Sequence, residues 1–314
     1  MNAAIRLSVY IVSYNQEKYI RQAIESVLNQ SILPFELCIF DDHSTDRTWS
    51  IIQEYATEYP SVVKAYRHEK NQGIFKNFNY AESHLQGNVI TAVAGDDYIM
   101  PGFFEEVVKC IDENNLNPDT DSFIIISNII NRVGDIEAYY DNIRFKQSDI
   151  LSLKIRGVID DRYGVVSRAL FDKTASYIEN IGVHAGVDRY LQTEKVLFLD
   201  GYYPVYRMGV GIVSRTKEVD FAKSMIKAVD IILSRYEKDL KVKDIRFLKY
   251  LQVKSNYQVN KSASTYFRLC GTTFLNIGNL GNLKKHLKAF LFLVLPYKLK
   301  MFLFKWKFFE ALSK

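Results

Sequence analysis

The first hundred residues alternate short apolar, β-rich runs with amphipathic segments. That alternation restricts the chain to an α/β fold more than any other feature does. Leu7–Ser13 (LSVYIVS) reads as a strand. Glu17–Gln30 then sets Ile20, Ile24, Val27 and Leu28 on one helical face. Phe35–Phe40 (FELCIF) is a second strand, after which Ser44 or Thr45 is placed to cap a helix reaching Glu58, with Trp49, Ile52 and Tyr55 inward. Val62–Tyr66 is a third strand, Gly73–Leu85 a third helix and Asn88–Val93 (NVITAV) a fourth strand. A β-α-β-α-β-α-β order with short connections predicts a parallel sheet covered by helices on both faces. Sheets of that kind bind ligands at the carboxyl ends of their strands. The residues that follow the strands therefore matter most: Tyr14-Asn15, Asp41-Asp42, His68 and Gly95-Asp96-Asp97.

Further along, Pro101 to about Asn114 reads as a helix, Ser122–Ile130 as a buried strand and Val183–Glu194 as a helix. Val196–Tyr206 supplies one or two strands, and a helical pattern runs from Asp220 to about Leu269, with Gly271 as its stop. Charge divides the 314 residues in the same place. Residues 220–314 hold 19 Lys and Arg against 6 Asp and Glu, whereas residues 1–219 hold 22 against 30. Opposite signs predict two regions with different tasks: an α/β domain over 1–219 and a basic helical region over 220–314. The acidic part argues against nucleic acid as a partner and suits a metal-dependent enzyme. Cys38, Cys110 and Cys270 are too few and too scattered for a disulfide framework or a zinc site, so a reducing compartment is expected. A spanning helix needs about 20 apolar residues. The uncharged runs Leu269–Leu283, broken by Gly and Asn, and Ala289–Tyr297 do not supply them. Leu7–Tyr14 has no cleavage pattern after it and reads as a strand, not a leader.

Three acidic features stand out. Asp41-Asp42-His43-Ser44-Thr45-Asp46 follows a strand. Cap and turn chemistry accounts for Ser44, Thr45 and Asp46, but not for two adjacent carboxylates, which repel unless each finds donors. A carboxylate there can accept the N–H of a base or the hydroxyls of a ribose. Gly95-Asp96-Asp97-Tyr98 places two hard oxygen ligands at a strand end, where magnesium or manganese would bridge a diphosphate; an exposed acidic turn is the plain alternative. Asp188, within Val187-Asp188-Arg189, lies inside a predicted helix, where a lone Asp is ordinarily solvated or ion-paired.

Taken in order, these features resemble the family-2 glycosyltransferases of the GT-A fold, from Leu7 to about Ser214. The resemblance begins at Val12-Ser13-Tyr14-Asn15 and continues through Ala23-Ile24-Glu25-Ser26-Val27-Leu28-Asn29-Gln30. It takes in Asp41-Asp42-x-Ser44-Thr45-Asp46-x-Thr48, Asn71-x-Gly73, Asn79 before Gly87, and Gly95-Asp96-Asp97-Tyr98 with Pro101. Asp188 falls where the family has its acidic catalytic motif, and Tyr206-Arg207 is similar to a late Tyr-Arg motif. The resemblance implies an α/β fold of GT-A type: a Rossmann-like, mostly parallel sheet with flanking helices. To this the chain adds a C-terminal helical extension, which lies beyond the resemblance and rests on the helical pattern after Asp220. The resemblance implies inverting transfer from a nucleotide-diphosphate sugar, UDP-linked by preference, in the manner of a hexosyltransferase. Tyr14 would stack on the base, and Asp42 would hydrogen-bond the base or its ribose. Asp96 would lie near ribose and diphosphate, with Asp97 on a divalent metal, manganese or magnesium. Asp188 would be the general base, and Arg207 would contact phosphate or acceptor. Three positions depart from the common pattern. Ala94 stands where many members have an acidic residue, Val187 stands where a Glu precedes the catalytic Asp, and no His follows Tyr206-Arg207.

Asp160-Asp161 reads as a loop before a strand at Gly164–Ser167. In residues 284–314, eight Lys and one Glu interleave with Phe290, Phe292, Phe302, Phe304, Trp306, Phe308 and Phe309. Helices packed on the domain with their lysines outward would give this pattern. So would an interfacial anchor on an anionic membrane, which suits an enzyme building bacterial surface polysaccharide (capsule or O-antigen) on a glycan or lipid-linked acceptor. The expected location is cytoplasmic, peripheral on the inner face of the cell membrane. Two rival readings remain. A sugar nucleotidyltransferase should carry a Gly-rich basic loop where Ser13-Tyr14-Asn15-Gln16-Glu17 stands. A catalytically degenerate nucleotide-sugar-binding module draws its support from Ala94. A dinucleotide oxidoreductase is excluded by the lack of G-x-G-x-x-G.

Overall fold

The computed structural model describes residues 4–142, 147–155, 162–174, 183–211, 218–260, 262 and 269. The chain divides into two compact units, Met1–Thr216 and Lys217–Lys314.

The first unit is built on one mixed sheet. Its order is β3 (Val63–Arg67), β2 (Glu36–Asp41), β1 (Leu7–Ser13), β4 (Val89–Ala94), β8 (Val165–Ser167), β6 (Phe123–Val133), β9 (Lys195–Arg207) and β5 (Tyr98–Ile99). A further strand, β7 (Ile136–Tyr140), forms a hairpin with β6. Strands β3, β2, β1 and β4 are parallel, as the sequence predicts, with Val12 paired to Phe40 on one side and to Ala94 on the other. β8 then runs antiparallel between β4 and β6, β6 and β9 are parallel, and β5 closes the edge antiparallel to β9.

The alternation of β1 divides the core between two faces. Leu7, Val9 and Ile11 pack with Ile20, Ile24 and Val27 of α1 (Ile20–Leu28), Ile51, Ile52 and Tyr55 of α2 (Thr48–Glu58) and Phe103, Phe104 and Val107 of α4 (Phe103–Glu113). Tyr10 and Val12 face the other way, against Ala81 of α3 (Ile74–Glu82), Leu170 of α6 (Arg168–Phe171) and Tyr190 of α7 (Val183–Gln192). A short α5 (Gln147–Ile155) lies between β7 and β8 in the chain. The chain winds from β1 out to β3 on one side, then places β4 on the other side of β1. The gap between the carboxyl ends of β1 and β4 is therefore the point where strand order reverses, the usual ligand crevice of such sheets.

One expectation changes, and one left open is settled. The cap of α2 is not Ser44 or Thr45: the helix starts at Thr48, and the Asp46 carboxylate accepts the Thr48 N–H at 2.9 Å. Ser44 and Thr45 are diverted because their loop lies across the Asn15–Glu17 loop and bonds to it. Val196–Tyr206 is one strand, Lys195–Arg207, whose register against β6 shifts after Ser127.

In the second unit, α8 (Glu218–Tyr236) and α9 (Val242–Val259) are joined through a 3-10 turn at Glu237–Asp239. Ala222, Ala228, Val229 and Ile232 are buried on α8, and Phe247 and Leu248 on α9. No helix among the described residues is long and apolar enough to cross a membrane. Asp160-Asp161, Cys270 and the basic segment 284–314 lie outside the described residues.

Candidate active site

At the carboxyl ends of β1 and β2, two loops are bonded into one another. Asn15, in a left-handed conformation at φ 52°, donates its N–H to Ser44 Oγ at 2.9 Å and accepts the Thr45 N–H on Oδ1 at 2.8 Å. Gln16 N–H donates to Thr48 Oγ1 at 2.7 Å, and Glu17 N–H to Asp46 Oδ2 at 3.1 Å. Tyr14 stands at the start of this junction, half-buried. Among the described residues its ring has no hydrogen-bond or aromatic-ring partner.

The Asp41-Asp42 pair resolves into two separate donor sets. Asp41, fully buried, accepts the Ser44 N–H at 2.9 Å and the Ser44 hydroxyl, with Arg67 Nε at 3.2 Å. Burial still pushes its carboxyl above the usual range. Asp42 accepts the Gln72 N–H on one oxygen at 2.7 Å and the Gly73 N–H on the other at 2.8 Å. Each oxygen keeps a second lone pair, so a base at Asp42 would share a carboxylate that already orders the Asn71–Gly73 loop.

Gly95-Asp96-Asp97 forms the turn after β4. A Cβ on Gly95 would meet the end of the Gln16 side chain, so the turn lies close against the Asn15–Glu17 loop. Asp96 is buried but for 7% of its surface, and a Cβ on Gly211 would come within 2.5 Å of its Oδ2, so the segment after β9 lies against it. Asp97 is more deeply buried and accepts the Arg207 N–H at 2.6 Å and the Tyr163 hydroxyl. Burial, and then the neighbouring charge of Asp96, push its carboxyl up to about 7.

Arg207, at the end of β9, secures the turn. Its guanidinium donates to the Asp96 carbonyl and to Gln22 Oε1, and lies 4.7 Å from the Tyr98 ring centre and 5.2 Å from that of Tyr19. Asp96, Asp97 and Arg207 are thus brought together. Asp188 is buried in α7, whose Tyr190 packs on the opposite face of the sheet from α1. Tyr14 and Asp42 stand on the adjacent strand ends.

Among the described residues, no three His, Cys, Asp or Glu side chains are grouped to hold a metal ion. The Asp96-Asp97 pair fits a cation of the magnesium or manganese type, which takes one or two carboxylates and fills its shell with phosphate oxygens and water. A dication would relieve the repulsion from Asp96 that adds to burial in raising Asp97. The donors from Tyr163 and Arg207 direct Asp97 inward, so the expectation that Asp97 leads is set against a carboxylate already engaged.

Sequence reasoning missed Tyr163 and Arg162. Tyr163 adopts φ 62°, uncommon for a bulky side chain, and its carbonyl accepts the Thr91 hydroxyl at 3.1 Å. Arg162 stacks at 3.8 Å on Tyr206. The segment before β8 shows no clear period, and nothing in it marks a residue that reaches Asp97 across the sheet.

The family model "Glycosyl transferase family 2" matches residues 8–167. Chondroitin synthase of Escherichia coli is 40% identical over 107 residues, 34% of this chain and 15% of that protein, so the match spans a small part of that relative. In fold, the chain is similar to S. aureus TarS 1-349, solved in complex with UDP-GlcNAc, with a TM-score of 0.59 and 18% identity over 93% of this chain and 82% of that one. It is also similar to the mannosyltransferase PcManGT from Pyrobaculum calidifontis, solved with GDP-Man and Mn2+, with a TM-score of 0.55 and 14% identity over 95% and 83% of the two chains. With a GT-A-type sheet and more than half of its length matched, the chain belongs to glycosyl transferase family 2.

Proposed function

We propose that the chain transfers a hexosyl unit, with inversion, from a nucleotide-diphosphate sugar to a glycan or lipid-linked acceptor in bacterial surface polysaccharide assembly. The observation that carries this reading is that Tyr14, Asp42 and Asp96-Asp97 follow the carboxyl ends of the adjacent parallel strands β1, β2 and β4, with Arg207 bonded into the acidic turn. The fold neighbours solved with UDP-GlcNAc and with GDP-Man and Mn2+ support a nucleotide-sugar donor. The relative named a chondroitin synthase supports a polysaccharide product.

In this reading Tyr14 stacks on the base, and Asp42 holds the Asn71–Gly73 loop beside it. Asp96 leads on the diphosphate side, with Asp97 behind it, and the pair would hold manganese or magnesium. That cation would neutralise charge on the departing diphosphate. Arg207 adds fixed positive charge beside the same group. Inverting transfer by direct displacement needs one base, and Asp188 takes the proton of the acceptor hydroxyl. The basic, aromatic sequence of 284–314 is assigned to an anionic membrane surface, which would bring the enzyme to a lipid-linked acceptor.

Ala94 favours one second reading, a module that binds the donor and does not turn it over. Asp188→Asn separates the two. With the wild type active, turnover in the variant should fall by about 10²–10⁴-fold while the donor Kd stays unchanged. Turnover equal to wild type would remove Asp188 from the mechanism.

A further inference from the structure

α3 runs from the loop bonded to Asp42 to the helix that carries Asp188. At its start, the Gly73 N–H is bonded to Asp42 at 2.8 Å. One turn in, Asn77 donates its amide to the Phe40 carbonyl at 3.0 Å and pairs with His68 Nε2 at 3.1 Å, which fixes the helix to the ends of β2 and β3. At its last residue, Glu82 accepts from Arg189 Nη2 at 2.9 Å, with the Tyr10 hydroxyl at 3.4 Å. Arg189 directly follows Asp188 in α7. Both partners are largely buried, with side-chain exposure of 9% for Glu82 and 18% for Arg189. Around the pair, Tyr190 packs in one cluster with Tyr10, Ala81 and Leu85.

A buried ion pair gives little net stability over apolar residues of the same size, but its geometry is directional. Consecutive helical residues point about 100° apart. Fixing the direction of Arg189 therefore fixes the rotation of α7 and, with it, the direction of the Asp188 carboxylate. Apolar packing of Tyr190 in the cluster with Tyr10 also holds the helix against the sheet.

We propose that Glu82 is a positioning residue for transfer. Through Arg189 it sets the rotation of α7 and thereby places Asp188, and α3 ties that placement to the loop ordered by Asp42. The inference rests on the reading of Asp188 as the base.

The test measures release of nucleoside diphosphate from a panel of UDP-, GDP- and dTDP-sugars, choosing the donor that wild type turns over. Asp188→Asn, Glu82→Gln and the apolar double variant Glu82→Leu/Arg189→Leu are compared. The double variant leaves no lone buried charge, so it keeps the test open if Glu82→Gln fails to fold. A misplacement of ~1 Å costs about 10²-fold, so kcat should fall at least tenfold in the double variant at wild-type Tm, with donor KM unchanged. Wild-type kcat in a double variant of wild-type Tm, beside an inactive Asp188→Asn, would overturn the positioning role alone. Wild-type kcat in Asp188→Asn, or a folded wild type that turns over no donor, would overturn the base reading and this inference with it.

Discussion

At the opposite ends of the strands from the crevice, Glu36 shows how one residue can hold several elements. Its carboxylate accepts the Ser8 hydroxyl at 2.6 Å, the Gln86 N–H at 2.6 Å and Lys64 Nζ at 2.7 Å, joining β1, β2, β3 and the chain entering β4. Burial alone would raise its carboxyl, but the three donors outweigh burial and hold it below the usual value. A lowered carboxylate stabilises the fold above its unfolded pKa and loses that contribution as pH falls through the folded one. Glu36→Gln should therefore cost about 1–3 kcal/mol near neutrality. In urea melts the gap from wild type should narrow as pH drops below about 4.3. A gap that stays constant with pH would mean that the charge of Glu36 contributes nothing. Residue-scale features of this kind were only partly legible. The Asp41-Asp42 repulsion demanded donors, and the structure supplies them, yet no sequence pattern pairs Asp42 with Gln72 and Gly73. Tyr163 and the Glu82–Arg189 pair gave no signal, because contacts across 66 and 107 residues leave no local period.

At the scale of elements, periodicity served well wherever burial is one-sided or complete. The four parallel strands and the helices between them lie within a few residues of where apolar spacing puts them. Boundaries failed where polar side chains had a better partner than the helix end. Ser44 bonds to Asp41 and Asn15 in place of capping α2, and the helix beginning predicted at Glu17 moves to Ile20 because Gln16 and Glu17 bond to the neighbouring loop. The two-residue strand β5 was invisible, since Tyr98 and Ile99 pair only because β9 arrives beside them. The loop junctions carry their own prediction. Asp42→Asn keeps one acceptor and loses the other, so the amide of Gln72 or of Gly73 should exchange faster by about tenfold, for ~1–2 kcal/mol of lost protection. Donor affinity should weaken alongside. Unchanged exchange at both amides would show that Asp42 does not order that loop.

Across the whole molecule, the acidic and basic parts of the sequence separate near residue 219, and the chain divides into units at Thr216. The acidic unit carries the fold and the candidate site. The membrane attraction proposed for the basic C-terminal sequence would be worth about 1 kcal/mol for each Lys or Arg near an anionic surface. The full chain should co-sediment with vesicles of phosphatidylglycerol, less so as salt rises, and not with vesicles of phosphatidylcholine alone. Equal recovery with both would contradict that assignment. The central claim, however, is that the strand-end crevice binds a nucleotide-diphosphate sugar with a metal at the Asp96-Asp97 turn. Calorimetric titration of UDP-, GDP- and dTDP-sugars, with and without manganese, tests it most directly. The account predicts that one nucleotide class binds, that manganese tightens it at least tenfold, and that Asp96→Asn abolishes the manganese effect. Failure of every donor to bind protein shown to be folded would contradict it.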